Sequence, residues 1–327
     1  MPTRPARRTA AVALGLASAL VLAACGNPSD EAATGAAATG SAAARANTGP
    51  DQKRVTTPTV DSIAAEVPEA IRRRGTLEIV NSPGSAGPLT FYATDNKTVI
   101  GVETDLAHLV AGVLGLEPRV HPASWENMFV GLDSGRYDVG IGNITVTEER
   151  KDKYDFASYR EDHLAFQAKK GSGLKITGPA DVAGKRVAVS SGTNQEKLLV
   201  EWSEENVRAG RAPVDIKYFQ HESDTYLALR SGRIDLHLGP NPTAAYRAAT
   251  TGDTEVVGTY SGGGATLQGL IAATTKKDNG LVKALADALN EVIGNGTYAK
   301  VLKRWSLAGE SVAKSEINPP GLPRTNK

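Results

Sequence analysis

Apolar residues recur at helical spacing in several short windows of this chain, and the stretches between them alternate. Trp125, Met128, Phe129 and Leu132 fall at i, i+3, i+4 and i+7, with Ser124 placed to cap the helix they predict. Leu106, Leu109, Val110, Val113 and Leu114 form a second face, stopped by Gly115. Leu281, Leu285, Ala288, Leu289 and Val292 form a late one, followed by Tyr298, Val301, Leu302 and Trp305. Residues 214–219, 254–260 and 266–273 read as strands. Strands alternating with helices predict mostly parallel sheets with helices on both faces.

The pattern repeats. SGRYDVGIG at 134–142 and SGRIDLHLG at 231–239 lie 97 residues apart, each after a helical segment and each leading into an alternating strand. More weakly, GTLEIV at 75–80 runs into a Gly/Ser/Pro loop, as GKRVAV at 184–189 runs into SSGTN at 190–194. We read two α/β lobes of similar topology. In open α/β sheets ligands bind beyond the carboxyl ends of the strands. That rule selects the loops 81–88, 142–150, 190–194 and 239–242, two from each half, and a cleft between lobes follows.

The ends of the chain change the picture. Arg4, Arg7 and Arg8 precede an apolar run from Ala10 to Ala24, the layout of a secretory signal. The run is too short to span a bilayer, which takes about 20 residues. It ends in LAAC, at the single cysteine, Cys25, which has no partner for an internal disulfide. Residues 26–60 are small, polar and without apolar period, and read as a flexible leash. A folded region of about 245 residues, 63–307, suits one large domain or two smaller ones. A net charge of +1 gives no footprint for nucleic acid. Aromatics at 5% argue against a stacked polysaccharide platform. The five histidines have no metal-ligand spacing, and no cofactor loop appears. GGG at 262–264 reads as a flexible hinge rather than a nucleotide loop.

Two resemblances sharpen this reading. The ending LAAC resembles the bacterial lipobox, which implies cleavage before Cys25 and lipid on its sulfur. The region 74–307 closely resembles the family 3 extracellular solute-binding proteins, the polar amino-acid receptors of ABC importers. The resemblance rests on GVETDLA (101–107), SWEN (124–127), SGRYD (134–138), TVTEER (145–150), DFAS (155–158), GKRVAV (184–189), GT (192–193) and NGTYAK (295–300) with Trp305. It implies an α/β, two-lobe, periplasmic-binding-protein type II-like fold with two hinge crossings, near 165–170 and 260–269. The expected organisation is a signal peptide (1–24), a lipidated linker (25–62), lobe 1 (63–167 and 268–307), lobe 2 (168–267) and a polar tail (308–327). The implied protein is exported, monomeric, lipid-anchored on the outer face of the cytoplasmic membrane, and partnered by an ABC permease.

The resemblance also assigns site residues. Arg150 is expected to clamp a ligand carboxylate, since a guanidinium offers two parallel hydrogen bonds; otherwise it is a surface member of a charged run. Asn143 and Thr145 are expected to bond the ligand from lobe 1. Thr193 and Asn194 are expected to do so from a helix start in lobe 2. Trp125 matches an aromatic wall, and Ser82 and Asn241 lie in the remaining loops. Two departures stand out. Pro240 occupies the place of the family's ammonium-anchoring aspartate, leaving Glu222, Glu103 or Asp105 as substitutes. The loop at 82–89 lacks the family's usual aromatic. A cyclohexadienyl-dehydratase-like enzyme on the same fold, or a sensing lipoprotein, are the competing readings.

Overall fold

The structure is a computed structural model that describes residues 46–219 and 221–324. Cys25 and the signal segment lie outside the described residues. In lobe 1, β1 (Thr76–Asn81) is flanked in parallel by β4 (Glu117–Pro122) and β5 (Val139–Gly140). Then come β11 (Gly269–Lys276) and the first half of β6 (Tyr154–Lys169), both antiparallel to their neighbours. In lobe 2, β7 (Arg186–Val189) pairs in parallel with β8 (Asp215–Tyr218) and β9 (Leu236–Pro240). The second half of β6 joins β9 on one side and β10 (Thr254–Ser261) on the other. A short hairpin, β2 (Phe91–Tyr92) with β3 (Val99–Ile100), completes lobe 1.

The helices are α1 (Asp61–Ala64), α2 (Glu69–Arg74), α3 (Val102–Val113), α4 (Trp125–Asp133), α5 (Asn194–Arg208), α6 (Glu222–Arg230), α7 (Asn241–Thr251), α8 (Val282–Gly294) and α9 (Thr297–Arg304). The periodic faces read from the sequence are the buried ones. Leu106, Leu109, Val110 and Val113 of α3 meet Leu285, Leu289 and Val292 of α8 in one core with the fully buried Trp305. Met128 and Leu132 of α4 pack on the opposite face of the same sheet. Lobe 2 has its own core around Phe166, Val187, Leu199 and Leu236, with Trp202 stacked 5.6 Å from Phe166.

The first lobe crossing falls earlier than expected. β6 changes partner between Asp162, which faces Gly269 on β11, and His163, which faces Ser261 on β10. The first crossing therefore precedes 165–170. It lies inside an unbroken strand, so no turn residue marks it. The second runs from Ser261 to Gly269. The glycines there serve close approach rather than flexibility: a Cβ on Gly262 would lie 1.7 Å from Asp162 Oδ2, and one on Gly263 2.7 Å from the Leu267 carbonyl.

Both ends of the folded region also correct the reading. Part of the leash is packed. Val55 and Val60 cover the lobe 1 core, Val60 N–H donates to the Val113 carbonyl (3.0 Å), and Arg54 pairs with the buried Asp105 (3.2 Å). These contacts are mostly polar or backbone, so no apolar period announced them. The tail from 315 onward runs along lobe 1. Ser158 and Glu316 exchange hydrogen bonds, Asn318 N–H donates to the Phe156 carbonyl, and the buried Leu322 pairs with Val146 and Glu148. Its end reaches lobe 2, where Lys197 donates to the Pro323 carbonyl (2.6 Å).

Candidate functional site

The loops at the carboxyl ends of β1, β5, β7 and β9 surround a cavity of about 730 Å³ between the lobes. Arg150 begins a 3-10 turn after the loop that follows β5, and its N–H donates to Thr147 Oγ1 (3.0 Å). Its guanidinium donates to the Thr145 carbonyl (2.9 Å) and, across the cleft, to the Gly192 carbonyl (3.1 Å). It lies 5.2 Å from the Trp125 ring and 5.4 Å from Phe129. Burial draws its pKa down to about 10, against the pull of Asp162 and Glu149, so it stays charged at neutral pH. Trp125 lines the cavity and also donates to the Gly192 carbonyl (3.4 Å). Arg150 and Trp125 therefore meet lobe 2 at one point.

Thr193 caps α5, accepting from Glu196 N–H (3.2 Å) while its hydroxyl donates to the Ser190 carbonyl (2.6 Å). The Glu196 carboxylate accepts from Gly192 N–H (2.6 Å), so one amide of this helix start is already held by an anion. Asn194 lines the cavity, yet its side chain turns to Asp162 Oδ2 (3.0 Å). Thr145 Oγ1 donates to the same oxygen (2.7 Å). One residue from each lobe thus converges on a fully buried aspartate in the crossing strand. Burial raises the Asp162 pKa. Sequence reasoning missed Asp162, because it sits in a charged run with no apolar period.

Asn143 lines the cavity in a left-handed conformation (φ 58°), and its side-chain oxygen accepts from the buried Arg160. Arg160 is fixed in turn by Glu103 (3.0 Å) and Glu310. Ser82 also lines the cavity. Asn241 does not: it opens α7, while its neighbours Pro240 and Thr243 form the wall. A helix beginning directly after Pro240 places Thr243, not Asn241, on the cavity side. Thr145 and Arg150 likewise stand behind the wall rather than on it.

The three candidate acids separate cleanly. Glu103 and Asp105 are buried under lobe 1; Asp105 is held by Arg54 and by Arg304 and Trp305 at 2.9 Å. Glu222 alone of the three reaches the cavity. The absent aromatic is also replaced. Phe91 is buried against Trp305 at 5.8 Å, while Tyr92, on the opposite face of the strand, joins Tyr218 and Phe219 on the cavity wall. Among the described residues no group of acids, histidines or cysteines is placed to hold a metal, and no helix is long and apolar enough to cross a membrane.

Comparison with known proteins agrees with this geometry. The chain is 34% identical over 236 residues to the L-cystine-binding protein TcyJ of Escherichia coli (strain K12), covering 72% of this chain and 84% of that protein. It is 28% identical over 261 residues to the arginine-binding protein ArgT of Corynebacterium glutamicum, covering 79% and 83%. An ancestral arginine-binding protein solved with arginine superposes with a TM-score of 0.61 at 30% identity, over 71% of this chain and 98% of that one. The solved structure is a two-lobe binding protein, and its fold matches the strand order here. Residues 79–308 match the family as a whole, and the chain belongs to the bacterial extracellular solute-binding proteins, family 3.

Proposed function

We propose that this protein is the lipid-anchored, monomeric solute receptor of an ABC importer, and that it captures a small amino acid or amino-acid derivative by its carboxylate. The carrying observation is Arg150: a charged guanidinium directly behind the cavity wall, against the ring of Trp125 that forms part of that wall, and touching both lobes. The names of its relatives, binders of L-cystine and of arginine, favour an amino-acid ligand over other small acids. A ligand bridging the lobes binds the closed form better, and only that difference can shift the balance between open and closed. Calorimetry across the twenty amino acids and L-cystine should find at least one ligand binding with micromolar affinity or better. No heat from any of them would reject the amino-acid reading.

Anchoring rests on the ending LAAC at Cys25. Because one acyl chain holds a protein only marginally, stable retention needs several. Cys25→Ser should move the protein from the membrane pellet to the soluble fraction and abolish lipid labelling. Unchanged retention with unchanged labelling would remove the anchor from the proposal.

A further inference from the structure

We propose that Glu222, on lobe 2, holds the positively charged group of the ligand and makes the receptor selective for zwitterions and cations. The proposal rests on the amino-acid reading above and adds the residue that decides it. The cavity wall carries two carboxylates, Glu126 and Glu222, and among the described residues no lysine or arginine. Glu126 is exposed in the first turn of α4. Glu222 is half-buried and directed across the cleft: its Oε2 accepts from Ser85 N–H (2.5 Å) and Ser85 Oγ–H (2.7 Å) of lobe 1.

The corner around Glu222 is shaped for a donor with several hydrogens. A Cβ on Gly84 would stand 3.0 Å from Glu222 Oε2 and 3.8 Å from the Thr90 carbonyl, so Thr90 belongs to the same corner. Thr90 is 3% exposed, lines the cavity, and its hydroxyl has no hydrogen-bond partner among the described residues. An unpaired buried hydroxyl is costly, and this one lies beside the cavity without a partner among the described residues. An ammonium carries three donors and no acceptor, which suits one carboxylate with neighbouring hydroxyls. Pro240, by contrast, presents neither charge nor N–H. An ammonium adds a full opposite charge to its bonds with Glu222, whereas the Ser85 donors are neutral, so the ammonium is the stronger partner. Such a ligand touches lobe 2 through Glu222 and lobe 1 through the wall around Ser85, which favours closure.

The test is calorimetry on the mature chain, using whichever of L-arginine, L-cystine and the other amino acids binds the wild type most tightly. Glu222→Gln, which keeps the shape, should weaken that ligand by about 30-fold or more. Glu222→Asp, which keeps the charge, should fall between Glu222→Gln and wild type and covers the case in which the amide variant folds poorly. Glu204→Gln, an exposed carboxylate on α5 outside the cavity lining, should change affinity by less than about threefold, and Ser85→Ala should lose less than Glu222→Gln. Wild-type affinity in Glu222→Gln overturns the proposal, as does an equal loss in Ser85→Ala, which would make Glu222 a latch between lobes. A wild type that binds no amino acid overturns the receptor reading itself, and this proposal with it.

Discussion

Arg150→Ala is expected to weaken the best amino-acid ligand by roughly 30-fold or more. The guanidinium is partly buried against Trp125 and Phe129, and its charge survives burial, with a pKa near 10. On the proposed carboxylate reading, removing it leaves the ligand without its counter-charge, and such truncations cost about 2–5 kcal/mol. It also strips the Gly192 carbonyl of one of the two donors that reach it from lobe 1. Lys153 belongs to the same charged run but is exposed. Lys153→Ala should change affinity by less than about threefold. Calorimetry on the two variants checks the contrast. Equal small losses would return Arg150 to a structural role.

A second large effect is expected in stability. Arg160 is 1% exposed and lies among Glu103, Glu310 and the side-chain oxygen of Asn143. Burial works against its charge, but Glu310 and Glu103 outweigh that and hold its pKa above the ordinary value. Arg160→Met leaves two buried carboxylates unpaired, at a cost of about 3–5 kcal/mol. At about 2–4 °C per kcal/mol for a chain of this size, Tm should fall by roughly 6 °C or more. Adding Glu103→Gln and Glu310→Gln should restore part of the loss, because the stranded charges are then gone. Scanning calorimetry decides, and a drop under about 2 °C would show that the cluster contributes little. Asn143 loses its clamp in the same variant, so ligand affinity should fall with stability.

How far the chain could be read before its structure was seen depended on what periodicity records. Helix faces such as Leu106–Leu109–Val110–Val113 were legible because burial imposes a 3.6-residue period on apolar side chains. The cleft was legible because strand ends and loops fall in order along the chain. β6 was not, because a strand that crosses both sheets buries Asp155, Ser158, Arg160 and Asp162 in polar contacts, and these leave no apolar stripe. Residues 46–60 and the tail escaped for the same reason: they are fastened by hydrogen bonds and ion pairs whose partners lie far off in sequence. Around the cavity, motif order led to Trp125 and Asn143, which line it, and to Arg150, which stands just behind. It could not separate Glu222 from Glu103 and Asp105, since only three-dimensional position does that. Asn241 shows the converse error, where a neighbour of the expected residue was carried past the wall by the start of a helix.

The course of the tail has a practical use. Arg324 is paired with Asp152, within two residues of Arg150, and its neighbour Pro323 is held by Lys197 on the other lobe. The carboxyl end of the described chain therefore rests on the seam where the lobes meet. A fluorophore attached there rides on the moving edge of the cleft, and a second one on the outer face of α5 would complete a distance-reporting pair. The seam around Arg324 thus supplies an attachment point for an optical sensor.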